Sequence, residues 1–167
     1  GHPDVGTDVP VNDPAGDTGS STTQSETSLT VSETTGTICS GFNDSYHGVV
    51  TGQGYSGFAR STDGGATFTD GGAFGSGSYG DPSMVWRKSD GYFYYASLGN
   101  GLDLYRSTDD CQTFQFLANI HSGGGDDKEL MVADNNPTSP YYGYLYVVWT
   151  DFGSGQQIKA TTSTNGG

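Results

Sequence analysis

From Glu26 onward the chain is written in short runs of apolar and polar positions that stop at glycine-prone turns. The runs fall into three groups. ETSLTV (26–31), ICSGF (38–42) and GFAR (57–60) form the first, with TFTD from Thr67 as a fourth piece. DPSMVW (81–86), YFYYASL (92–98), LDLYR (102–106) and TFQFLA from Thr113 form the second. DKELMV (127–132), YLYVVWT (144–150) and QIKATT (157–162) form the third. Turns are predicted at Glu33–Thr37, Lys88–Gly91 and around Asn135–Pro140. Gly or Pro interrupts almost every stretch before three helical turns accumulate, so strands are predicted and long amphipathic helices are not. Residues 1–23 hold Asp, Gly, Pro, Ser and Thr with almost no large apolar side chain, and a disordered acidic lead or linker is expected there.

One phrase recurs at the end of each group's third strand. It reads STDGGATF at Ser61–Phe68, STDDCQTF at Ser107–Phe114 and STNGG at Ser163–Gly167, a period of about 50 residues. A single supersecondary unit is therefore repeated: an inner strand opened by an acid, two further strands, a tight turn and a fourth strand. Four short antiparallel strands per unit predict the blade of a β-propeller, with blades at 24–73, 74–120 and 121–167. The third phrase stops in mid-turn, so the sequence reads as a fragment. Within the phrase, the Ser61 hydroxyl and Asp63 carboxylate are predicted to bond the turn's own backbone. Gly65 is expected in the left-handed conformation, and Phe68 to anchor the turn on the blade. Ser107, Asp109, Phe114 and Ser163 occupy the matching places, which makes all of these residues structural.

Composition narrows the choice. With 32% hydrophobic residues but 13% aromatic, 11 Tyr and 28 Gly, the chain suits short strands packed by aromatic side chains and joined by tight turns. Six Lys and Arg against 19 Asp and Glu, a net charge of −13, supply no basic stripe for a phosphate backbone. The same deficit disfavours an anionic membrane surface, and no stretch is apolar enough to span a bilayer. Such acidity fits a solvated, secreted or cell-surface protein. No cofactor is required. Calcium, which takes carboxylate and carbonyl oxygens, is the one ion the composition brings into view, although no DxDxDG loop with its closing Glu is present. The chain lacks an initiator Met and a signal-peptide pattern, as a processed or excerpted protein would. Cys39 and Cys111 lie in different units, and a disulfide, two free thiols, or pairing with another part of the protein all fit them.

The phrases resemble the Asp-box, or bacterial neuraminidase repeat, of sialidase-like β-propellers. GDPSMVW, DDKELMVAD and YLYVVWTDF look like the text that surrounds those boxes in secreted bacterial members. The resemblance covers Glu26 to Gly167, about three blades where such propellers carry six or seven. It departs from the pattern at Cys111, which stands at the usual glycine, and at Asn165, which stands at the usual Asp. It implies that the box turns lie on the face away from the active site, and that the starts of the inner strands surround the channel mouth.

On that geometry Glu26, Asp81 and Asp127 open successive inner strands at the mouth. The loops between second and third strands add Asn43, Asp44, Tyr46 and His47, then Asn100, then Asp151 and Phe152. Paired carboxylates are the equipment of glycoside hydrolysis, and crowding raises the pKa of one of them as a general acid requires. The expected catalytic constellation is Asp81 or Asp127 as acid with Asp44 or Asp151 as partner. Glu26, Asn43, His47, Tyr55, Asn100, Lys128 and Phe152 are the expected ligand contacts, Phe152 and Tyr55 by stacking on sugar faces. Strand-opening acids can equally cap neighbouring backbone N–H groups. Arg60, Arg87 and Arg106 are expected at the box face, so the three-arginine grip on a sialic acid carboxylate is not expected here, and the Arg-Ile-Pro phrase is missing. The resulting expectation is a glycan-directed propeller, a glycoside hydrolase on non-sialylated polysaccharide, whose open sheet flanks pair with further blades or with each other. A non-catalytic glycan- or protein-binding propeller, or a cell-surface structural one, is the alternative.

Overall fold

Each predicted group folds as one antiparallel sheet in which sequence neighbours are spatial neighbours. The computed structural model describes residues 6–167. The first sheet holds β1 (Gln24–Val31), β2 (Ile38–Asp44), β3 (Ser56–Ser61) and β4 (Thr69–Phe74) in that order. The second holds β5 (Gly80–Arg87), β6 (Tyr92–Gly99), β7 (Gly101–Ser107) and β8 (Gln115–Ser122). The third holds β9 (Asp126–Ala133), β10 (Leu145–Asp151) and β11 (Gln157–Ser163). The inner strands stack face to face, β5 packing on β1 and on β9. The fold is all-β and of the propeller type. Among the described residues no helix is long and apolar enough to cross a membrane.

The middle sheet is covered on both faces, which explains its continuous aromatic run. Along β6 the pleat sends Phe93 and Tyr95 into the core shared with the first sheet, and Tyr94 and Ala96 into the core shared with the third. Phe74 and Phe114 stack in the first core with centroids 4.8 Å apart, and Met131, Leu145 and Trp149 fill the second. The outer sheets each keep one bare face: Leu29 and Val31 are exposed on β1, and Leu130, Val132 and Ile158 on the third sheet.

The inner strands are also sheet edges, so their outward N–H groups have no ladder partner. Hydroxyls of the neighbouring blade supply one. Ser28 Oγ accepts from Met84 N at 2.9 Å, Thr30 Oγ1 from Trp86 N at 2.9 Å, and Ser83 Oγ from Met131 N at 2.8 Å. Ser83→Ala strands a buried N–H and is expected to destabilise the protein by about 1–3 kcal/mol. A thermal midpoint unchanged from wild type would show that water replaces the hydroxyl.

The recurring phrases form the turns between third and fourth strands. Ser61 Oγ donates to Asp63 Oδ1 at 2.8 Å and accepts from Gly65 N at 3.0 Å, while Thr67 N and Oγ1 donate to the Asp63 carboxylate at 3.0 and 2.6 Å. Thr67, with Ser61, holds the Asp63 pKa down at about 2. Ser107, Asp109 and Thr113 repeat the arrangement, and Ser163 Oγ accepts from Gly166 N and Gly167 N at 3.0 and 2.8 Å. Because the threonine is spent on the turn, β4 and β8 begin at Thr69 and Gln115, two residues later than predicted. Phe114 is buried in the first core, whereas Phe68 is only half-buried and Phe74 packs in the core instead.

The second turn is unusual. Its left-handed pair is Asp110 (φ +62°) and Cys111 (φ +63°), where the first turn has Gly64 and Gly65. Both residues tie the first two blades together. Cys111 is bonded to Cys39 of β2 (Cα–Cα 6.0 Å), which settles the cysteine pairing left open by the sequence. The Asp110 carbonyl accepts from Arg60 Nε at 2.7 Å, and its carboxylate accepts from Thr35 Oγ1 at 2.9 Å and Thr37 Oγ1 at 2.6 Å.

The lead differs from the expected disorder over residues 12–23. A short 3-10 turn at Pro14–Gly16 is capped by Asp13, whose N–H donates to Asp70 at 2.6 Å, and Thr23 N donates to Ser45 Oγ at 2.8 Å. Polar bonds to the first blade hold this stretch where apolar burial could not. Residues 1–5 of the expected lead lie outside the described residues. The sheets themselves span 24–74, 80–122 and 126–163, slightly displaced from the expected blade limits.

Candidate functional site

Each inner strand carries the same irregularity near its start. Pairing shifts register between Ser25 and Ser28 in β1, between Gly80 and Ser83 in β5, and opposite Val148–Thr150 in β9. At each bulge one non-glycine residue adopts a left-handed backbone: Glu26 (φ +53°), Asp81 (φ +52°) and Lys128 (φ +54°). Such a conformation costs about 1–2 kcal/mol for an L-residue, and its repetition on three blades aims three side chains at one end of the stack. This corrects the expected set. Lys128, not Asp127, is the counterpart of Glu26 and Asp81; Asp127 pairs with Thr150, as Ser25 pairs with Asn43. An inserted bulge residue is invisible when positions are counted from the strand opening.

Asp81 is fixed from the neighbouring blade. Asn43 Oδ1 accepts from Asp81 N at 2.6 Å, and Asn43 Nδ2 donates to Asp81 Oδ1 at 3.3 Å. Gly80 (φ +88°) permits this approach, since a Cβ there would overlap Asn43 Oδ1. The Glu26 pKa is raised, first by the adjacent Asp81 carboxyl and then by burial; Lys128 opposes the shift. Glu26 is exposed and Asp81 half-buried, so the pair opens to solvent.

Beneath them lies a carboxyl that the sequence pattern does not single out. Glu129 is 2% exposed, and neither carboxylate oxygen has a hydrogen-bond partner among the described residues. Burial, reinforced by the charges of Asp81 and Asp127, pushes its pKa up to about 8. Only its place immediately after the bulge residue, at the Thr27 and Pro82 positions of the other blades, distinguishes it from the other acids of DDKE.

Asp44 and Asp151 stand at matching ends of β2 and β10, each engaged by its own partner. Asp44 Oδ2 is 2.6 Å from His47 Nδ1, and its Oδ1 accepts from His47 N at 3.0 Å. Asp151 accepts from Lys159 Nζ and from Ser154 N, which hold its pKa down at about 2. Neither of them is among the groups that shift the Glu26 pKa, where Asp81 acts first. His47 begins a single wide helical turn, His47–Thr51, rather than lying in a loop. The Tyr55 ring lies against Gly48. Asn100 is exposed in the tight β6–β7 turn, and Phe152 is 52% exposed beyond Asp151. Tyr79, immediately before Gly80 and 62% exposed, is a second open aromatic face, which its glycine- and serine-rich surroundings do not announce.

The arginines lie at the opposite end. Arg60 bonds Asp110, Arg87 bonds Asp90 and the Gly143 carbonyl, and Arg106 lies over the Tyr92 ring at 5.4 Å.

No family model matches the sequence, and no curated protein resembles it at the sequence level. Solved structures do share the fold. A Penicillium chrysogenum α-L-arabinanase complexed with arabinobiose aligns with TM-score 0.68 at 17% identity, over 85% of this chain and 46% of that one. A Dyadobacter fermentans protein of unknown function aligns with TM-score 0.64 at 16% identity, over 86% and 48%. A Hadza microbial sialidase aligns with TM-score 0.58 at 16% identity, over 86% and 32%. The chain spans less than half of the length of these structures, and at such identities the likeness is one of fold.

Proposed function

We propose that this chain forms part of an exported, glycan-directed propeller that hydrolyses a glycosidic bond in a neutral polysaccharide. The observation that carries this reading is the Glu26–Asp81 pair, neighbouring carboxyls at matching left-handed bulge positions of adjacent blades, the first with its pKa raised by the second. Crowding of like charges raises the pKa of one carboxyl, the direction a general acid requires. Glu26 is the proton donor to the leaving glycosidic oxygen, and Asp81, held in place by Asn43, is the neighbouring carboxyl that raises the Glu26 pKa. Tyr79 and Phe152 offer open aromatic faces for stacking on sugar rings. The likeness to an arabinanase and a sialidase supports a glycan ligand, and the resemblance of the turns to Asp-boxes supports the same superfamily. An acidic mouth, with all three arginines at the far end, disfavours an anionic sugar. The Cys39–Cys111 disulfide supports an oxidising, secreted or cell-surface location.

The test is turnover of neutral arabino- and galacto-oligosaccharides by the whole protein. Glu26→Gln and Asp81→Asn are each expected to lower kcat by about 10²–10⁴-fold. Unchanged turnover in both variants would remove the pair from the mechanism. Binding without cleavage by wild type would favour a non-catalytic glycan-binding propeller.

A further inference from the structure

A second cluster sits where the chain passes from the second blade to the third. His121, at the end of β8, places Nδ1 2.8 Å from Asp126 Oδ2, at the start of β9. Asp151 closes the group from β10, directly opposite Asp126 in the sheet register. The three ligand atoms lie within 4.8 Å of one another. The Asp126 side chain is 1% exposed, yet its Oδ1 has no hydrogen-bond partner among the described residues. A buried carboxylate oxygen left unpaired at the centre of such a group lacks the cation or donor that burial demands. A cleft of about 350 Å³, bordered by Tyr79, Gly99, Gly101 and Gly123–Gly125, has Asp126 in its wall and gives an ion a way in.

We infer that His121, Asp126 and Asp151 form a binding site for a divalent transition-metal ion, with Zn²⁺ as the best fit. One imidazole and two carboxylates suit zinc, whereas calcium prefers six or more oxygens that this group does not supply. Tetrahedral bonds of about 2.0–2.2 Å need ligand atoms about 3.4 Å apart, so a spacing of 4.8 Å must close by about 1.4 Å. Three protein ligands leave a fourth position for water or a sugar hydroxyl. Lys159 Nζ now satisfies Asp151 and is the competitor that an arriving ion displaces. The His121 ring lies 5.3 Å from the Trp149 ring, so the site carries its own optical reporter.

The experiment titrates Zn²⁺ by calorimetry and Co²⁺ by Trp149 quenching, in a Trp86→Phe background that leaves Trp149 as the single tryptophan. Saturable one-to-one binding is expected, weakened about 10–100-fold or more by Asp126→Asn and by His121→Gln. Lys159→Met should tighten binding, a change of opposite sign that mere loss of structure does not produce. Each variant's far-UV circular dichroism is compared with wild type. No saturable Zn²⁺ or Co²⁺ binding by wild type, equal affinity for Ca²⁺ or Mg²⁺, or binding indifferent to Asp126→Asn in a folded protein would each overturn the site. None of these readouts depends on glycan hydrolysis.

Discussion

Glu129→Gln is expected to make the protein more stable at pH 8 while leaving its stability near pH 4 almost unchanged. In the unfolded chain this carboxyl loses its proton near pH 4.5; in the folded protein it keeps it to about pH 8. The folded state therefore binds more protons between those values, and its stability falls as pH rises through that window. The contribution is fully present below pH 4.5 and is gone above pH 8. The separation corresponds to about 5 kcal/mol as an upper bound, because a tenfold change in proton affinity is worth about 1.4 kcal/mol. Glutamine keeps the shape and has no proton to lose, so the gap between variant and wild type should widen steadily from pH 4.5 to 8. At about 2–4 °C per kcal/mol for a chain of this size, thermal melts across that range resolve it easily. A variant less stable than wild type at pH 8 would mean that Glu129 is ionised and well bonded in solution.

Breaking the Cys39–Cys111 bond is the other large effect. The bond closes a loop of 72 residues, which in the chain-entropy account contributes about 4 kcal/mol. That is a large share of the roughly 5–15 kcal/mol by which domains are usually stable. Cys39→Ser and dithiothreitol treatment should shift the urea midpoint by matching amounts. Cys111→Gly should lose less than Cys111→Ser, by about 1–2 kcal/mol, because only the serine keeps a left-handed backbone on a residue with a Cβ. A urea midpoint insensitive to reductant would show that Arg60, Thr35 and Thr37 on Asp110 suffice to hold the two blades together.

Much of this architecture is legible in the chain. The serine–aspartate phrases mark the third-to-fourth strand turns, and YFYYASL announces a strand buried on both sides. What escapes is whatever depends on register. The bulges at Glu26, Asp81 and Lys128 insert a residue without changing local composition, so Asp127 takes the place of Lys128 when positions are merely counted. Glu129 escapes for a related reason: its burial follows from facing the second blade, which no pattern within DKELMV records. Asp44 and Asp151 are read as reactive from their types, but His47 and Lys159, their partners, are brought to them only by folding. The docked lead shows the limit of an apolar-content argument, since Asp13 and Thr23 tie it to the first blade by hydrogen bonds and Gly16 lies close against the Tyr46 ring.

The covalent link between the first two blades has a practical corollary for handling the protein. The glycine-and-serine crossing between β4 and β5 is open to solvent at Ser76 and Gly77, the sort of site a protease cuts, and it lies between Cys39 and Cys111 in sequence. A molecule cleaved there stays one species on a non-reducing gel and separates into two only after thiol is added.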